Sequence, residues 1–158
     1  MTSTAATIWS YAARSIERLI AVAFEDLDSA GRAWHPDVPD ANSVLALLNH
    51  TISNAEDNLL GTVLGQSLHY DRQADFDTPT ASQDAIHERW NGIRSIFEAA
   101  LPTLDNPRLA ETMQHPRRGP VTRLDILIVV ARHAAEHLAH AELTRDFYRA
   151  QIFEGGVR

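Results

Sequence analysis

The sequence predicts an all-α fold, a four-helix bundle. Four long segments repeat apolar residues at spacings of three and four, the period of an α-helix. Stretches rich in proline and glycine separate them. No apolar-polar alternation of period two runs long enough to make a convincing strand. The 158 residues, 44% of them hydrophobic, suit one domain spanning residues 1–158 with a proper core.

The first helix is expected from about Thr4 to Ser29, with Ile8, Ala12, Ile16, Leu19, Ala23 and Leu27 on its apolar stripe. The segment GRAWHPDVPD ends it. The second is expected from about Asn42 to Leu68, capped by Asn42 or Ser43, with Leu45, Leu48, Ile52, Ala55, Leu59 and Val63 in register. The polar segment HYDRQADFDTPT follows, and Pro79 argues against helix there. A third helix, from about Ser82 to Leu101, aligns Ile86, Trp90, Ile93 and Phe97. The stretch from Pro102 to Pro120 holds four prolines and reads as a long crossover with room for short turns. The last helix opens on TRLD, where Thr122 and Asp125 imitate a capping box, and runs to about Ala150 without Gly or Pro. The longer connections leave room for a non-adjacent crossover, so the helix order is left open.

Composition excludes several functions. The net charge is −7, and no Lys/Arg run resembles a nucleic-acid footprint; PRRGP at 116–120 is the densest basic spot. With no cysteine there is neither a disulfide framework nor a thiolate nucleophile or ligand. The N-terminal residues lack a basic region followed by an apolar run, so no signal peptide is expected, and no stretch of about 18 uncharged apolar residues suggests a membrane span. The expected location is the cytoplasm.

The chemistry lies in RHAAEHLAHAELTRD, residues 132–146. At about 100° per residue, His137 is rotated about 40° from His133 and His140 about 20° the other way, so all three share one narrow sector. His133 and His137, at i and i+4, can present two imidazoles to one transition metal. A third ligand must come from another helix, and His50, flanked by Leu48 and Ile52 on the second helix, is the candidate. Three neutral imidazoles with open positions suit Zn²⁺, Ni²⁺ or Fe²⁺. Spacing alone also permits His137 and His140 as the pair. A buried histidine is more often satisfied by hydrogen bonds than by a metal. His35, His69, His87 and His115 lie at loops or helix ends and read as solvated.

Competing motifs fit poorly. HAAEH matches the H-x-x-E-H peptidase pattern with Glu136 as base. That class draws its third ligand from a carboxylate well downstream, and only 21 residues follow His137. A di-iron bundle needs Glu-x-x-His on two helices, and this sequence has none. No phosphate-binding glycine loop or nucleophile elbow occurs.

The segments SVLALLNHTISNAEDNLL at 43–60 and DILIVVARHAAEHLAHAELTRDFYRA at 125–150 resemble the DinB-like superfamily, which includes bacillithiol and mycothiol S-transferases and mycothiol-dependent maleylpyruvate isomerases. EHLAHAELTRD is the most specific piece. The resemblance implies a four-helix bundle of the DinB/YfiT-like type, frequently a homodimer, with a divalent metal held at the positions of His50, His133 and His137. It further implies a low-molecular-weight thiol as cosubstrate, activated by the metal and transferred to an electrophilic small molecule. The isomerases look like Glu-x₃-His where this sequence has His-x₃-His, which weakens an assignment to maleylpyruvate. His140 stands where many relatives carry Gln, as a partner behind the ligands or as a general base. Arg117 or Arg118 could meet the thiol's carboxylates, although loop arginines are usually solvated. The alternative function is a non-catalytic bundle that binds a metal or ligand, or serves as a structural module.

Overall fold

The computed structural model describes residues 3–77 and 79–155. Four long helices form the bundle: α1 (Thr4–Phe24), α3 (Val44–Glu56, continued by a π-helix over Asp57–Val63), α5 (Gln83–Ala100) and α7 (Arg123–Gly155). Short helices fill the connections: α2 (Ser29–Ala33), α4 (Ala74–Asp77), a 3₁₀ turn (Leu101–Thr103) and α6 (Asn106–Leu109).

Each long helix starts where its cap requires. Ser3, Ser43 and Ser82 accept from the backbone N–H groups of Ala6, Ala46 and Ala85, meeting donors that no helical carbonyl can reach. At α7 the Asp125 carboxylate accepts from the Thr122 N–H at 2.9 Å, and Thr122 Oγ1 accepts from the Asp125 N–H at 3.1 Å, so the expected reciprocal cap forms.

Contacts between helices set the order. Arg18 meets Glu142 while Asp26, just beyond α1, meets Arg145 and Arg149, so α1 and α7 run parallel. His50 lies by His133 and the Val63 carbonyl by Arg123, so α3 runs antiparallel to α7. Trp9 reaches Glu98 and Glu17 reaches Arg94, so α5 opposes α1. The chain therefore runs up, down, down, up. Because α3 and α5 are parallel, the connection over residues 64–82 must climb the length of the bundle, and it does so along α3. Residues 43–53 are buried without a break, since α3 is enclosed by helices and by that crossover.

Trp9, Trp90 and Phe97 pack with ring centroids 5.0–5.7 Å from Trp9, in tilted pairs worth about 0.5–1.5 kcal/mol each beyond their burial. At the other end Asp26 accepts from Arg145 at 2.7 Å and Arg18 at 2.9 Å, and Tyr148 donates to Asp28. Burial pushes the Asp26 carboxyl up, but the two guanidiniums outweigh it and hold the group below the usual carboxylate range. The ELTRD motif is thus a clamp between α7 and the end of α1.

Several expectations need correction. The first helix ends at Phe24 rather than near Ser29, and Asp28 caps a separate short helix. The second changes to π geometry at Asp57 and ends before Gly65, whose φ of +74° suits glycine. HYDRQADFDTPT includes the turn of helix α4. The proline-rich stretch holds a hairpin, β1 (Thr112–His115) antiparallel to β2 (Gly119–Thr122), closed at Gly119 with φ +73°. Its strands are too short to show alternation.

Candidate metal centre

The three predicted ligands meet. His50 projects from the middle of α3 and is 6% exposed; His133 and His137, one turn apart on α7, are half-buried. His50 Nε2 lies 3.2 Å from His133 Nε2, which lies 3.1 Å from His137 Nε2. Among the described residues no other group of three or more His, Cys, Asp or Glu converges in this way.

The residues behind His50 fix its tautomer. Its Nδ1 stands 3.3 Å from Asp75 Oδ2, and a carboxylate can only accept, so Nδ1 carries the proton and Nε2 keeps its lone pair toward the other imidazoles. Asp75, 7% exposed, also accepts from Ser53 Oγ at 2.6 Å and Tyr70 OH at 3.2 Å. Burial pushes the Asp75 carboxyl up, but hydrogen bonds from His50 and Ser53 prevail and its pKa is lowered. Burial and the Asp75 charge raise the Tyr70 pKa, so the phenol stays protonated. A carboxylate orienting an imidazole from behind is a common support for a metal ligand.

Burial, followed by the neighbouring imidazoles, pushes His133 down to about 3 and His137 to about 4. Both are therefore neutral near pH 7, the form that ligates. The donor set fits a metal. With bonds of about 2.0–2.1 Å and angles between octahedral and tetrahedral values, ligand nitrogens on one ion stand about 2.8–3.4 Å apart. Two of the three nitrogen pairs fall in that range, and all three ligand nitrogens lie within 4.8 Å of one another.

The trio opens into a cleft of about 560 Å³. The crossover supplies Arg72, Gln73 and Phe76 to its wall, and the turn before α3 supplies Asp40 and Asn42. The Phe76 ring lies 5.0 Å from the His50 ring and shields its flank.

Other predicted groups lie elsewhere. His140 is exposed and lines no part of the cleft. Glu136, the would-be peptidase base, is exposed and pairs with Arg132 on the outer face of α7. Arg117 pairs with Asp57 at 2.8 Å and stacks over Tyr70, and neither it nor Arg118 lines the cleft. His115 is 3% exposed rather than solvated. It accepts the Arg117 N–H at Nδ1, and its Nε2 faces Asn58 Oδ1, because the hairpin folds onto the π-helix. Reading the sequence alone missed Tyr70, Arg72 and Asp75. Their segment has no periodicity to place them, and the only hint is that a long crossover beside the helix of His50 must pass the candidate site.

The family model of the DinB superfamily matches residues 12–141, a span that contains all three histidines. The chain belongs to the DinB superfamily. A crystal structure described as a conserved protein from Enterococcus faecalis shares the DinB-superfamily chain's fold, with a TM-score of 0.70 at 16% identity, over 92% of this chain and 96% of that one. No protein of curated function matches. Among the described residues no helix is long and apolar enough to cross a membrane.

Proposed function

We propose that His50, His133 and His137 hold one divalent metal ion, Zn²⁺, Ni²⁺ or Fe²⁺, and that the protein transfers a low-molecular-weight thiol to an electrophilic small molecule. The convergence of three Nε2 atoms at the floor of an open cleft carries the proposal. A metal bound by three neutral ligands keeps its full charge and lowers the pKa of a thiol placed beside it, so that thiolate forms near neutral pH.

The chain's own residues do the rest. Asp75 and Tyr70 hold His50 in the ligating tautomer. Burial keeps His133 and His137 unprotonated. The cleft is of a size that admits small molecules, typically about 300–1,000 Å³. In the transfer the thiol proton goes to solvent and sulfur forms the new bond to carbon; the leaving group departs with its electron pair or, at an activated alkene, the π pair shifts and the neighbouring carbon takes a proton from solvent. The exposed, Arg132-paired Glu136 disfavours peptidase chemistry.

Metal analysis of tag-free protein, followed by a thiol-consumption assay with and without chelator, tests the reading. Stoichiometric metal and chelator-sensitive turnover are expected. Metal with affinity for thiols but no turnover on a panel of electrophiles would favour the non-catalytic alternative; protein without metal would refute the site.

A further inference from the structure

The wall of the cleft carries a guanidinium that the metal reading does not use. Arg72 lines the cleft beside His50, His133 and His137, and among the described residues it forms no ion pair. The side chain is exposed, and the turn that carries it is fixed. Asp71 Oδ1 accepts from the backbone N–H of Gln73 at 3.0 Å, fixing the turn into α4. Asp75 on α4 is tied to Ser53 and His50. The Arg72 guanidinium lies 5.0 Å over the Phe76 ring, and the same ring abuts His50. Contacts therefore run from the histidine trio through Phe76 to the cation, which holds its charge at the cleft without neutralising it.

The charge balance points the same way. Of the residues lining the cleft, Asp40 is the one carboxylate and Arg72 the one arginine, so a divalent ion on the histidines leaves the cleft positive within a chain of net charge −7. Two separated positive centres suit a ligand with an anionic group at one end and its reacting atom at the other. Resting on the metal site proposed above, we propose that Arg72 is a specificity-determining residue and that the cleft takes a small molecule bearing a carboxylate, paired with the Arg72 fork while the reacting end faces the histidines. A planar guanidinium matches a carboxylate with two parallel N–H···O bonds, which a neutral amide cannot reproduce.

Acid and amide pairs of nearly the same shape test this. Tag-free, metal-loaded protein would be titrated by calorimetry with 3-mercaptopropionate against 3-mercaptopropionamide, and with acrylate against acrylamide, metal content being measured on every sample. In at least one pair wild-type protein should bind the acid about tenfold more tightly, as a charge-assisted hydrogen bond at a solvent-facing site allows. The responding pair shows whether the carboxylate belongs to the thiol or to the electrophile. Arg72→Gln should abolish the preference with metal content unchanged. Asp40→Asn gives an independent reading, since asparagine tolerates the positive φ of this position and removes the cleft's negative charge; acid binding should tighten severalfold and amide binding stay constant. A metal-loaded wild type that treats acid and amide alike in both pairs, or a folded Arg72→Gln that keeps the preference, overturns the Arg72 assignment and leaves the metal site standing. A wild type without metal overturns both.

Discussion

Asp75→Asn tests how far the proposed metal centre depends on the crossover. The change keeps the side chain's shape and removes its charge. Asparagine can still accept from His50 Nδ1 and Tyr70 through its oxygen, turning its amide group to Ser53 Oγ, so the fold should survive. The imidazole loses the carboxylate that makes it a better donor. Removing such a partner typically costs 10–100-fold in metal affinity, or about 1.4–2.8 kcal/mol. The lower end applies here. The His50–Asp75 distance of 3.3 Å is longer than the roughly 2.7–2.9 Å of strong charge-assisted bonds, and Tyr70 shares the same oxygen. We expect about a tenfold weaker Kd in competition with a chromophoric chelator, with unchanged far-ultraviolet circular dichroism. Asp75→Ala, which takes the acceptor from the buried Ser53 hydroxyl and leaves His50 Nδ1 only the Tyr70 oxygen, should lose more affinity and also melt lower. A folded Asp75→Asn protein that binds metal as tightly as wild type would refute the supporting role of the carboxylate.

His50→Ala, His133→Ala and His137→Ala should each abolish stoichiometric metal in a folded protein, whereas exposed His140→Ala should retain it; metal analysis separates these outcomes. At a free metal concentration of roughly 100 Kd the wild type gains about 2.7 kcal/mol, seen as a chelator-sensitive rise in Tm that His50→Ala should lack. In chelator, stability should decline as pH falls below about 6.5, because the unfolded chain takes up protons that buried His133 and His137 resist until about pH 3 and 4. Urea titrations across that range check the sign, and a profile that His133→Asn and His137→Asn do not flatten would contradict it. Arg145→Ala should cost about 1–2 kcal/mol, read as a lower Tm, without altering metal content. Loss of metal in that variant would mean that the clamp at Asp26 is coupled to the site.

The four long helices were legible in the sequence because their information is local. A stripe such as Ile86, Trp90, Ile93 and Phe97 repeats with the turn of a helix whatever packs against it, and all four residues are buried. His133 and His137 could be paired for the same reason, since four residues make about one turn. His50 was legible through its place in a buried apolar helix. The tertiary structure decided what periodicity does not encode. The parallel run of α3 and α5 sends residues 64–82 back along α3, which carries Tyr70 and Asp75 to the rear of His50 and Arg72 to the cleft. His115 is buried because a proline-bounded hairpin closes over a π-helix, two features with no signature in a window of sequence. Sequence alone thus determined which long helices exist and which histidines can share a face. Only folding determined which polar residues surround them, because those meet through chain direction and distant contacts rather than through spacing along one helix.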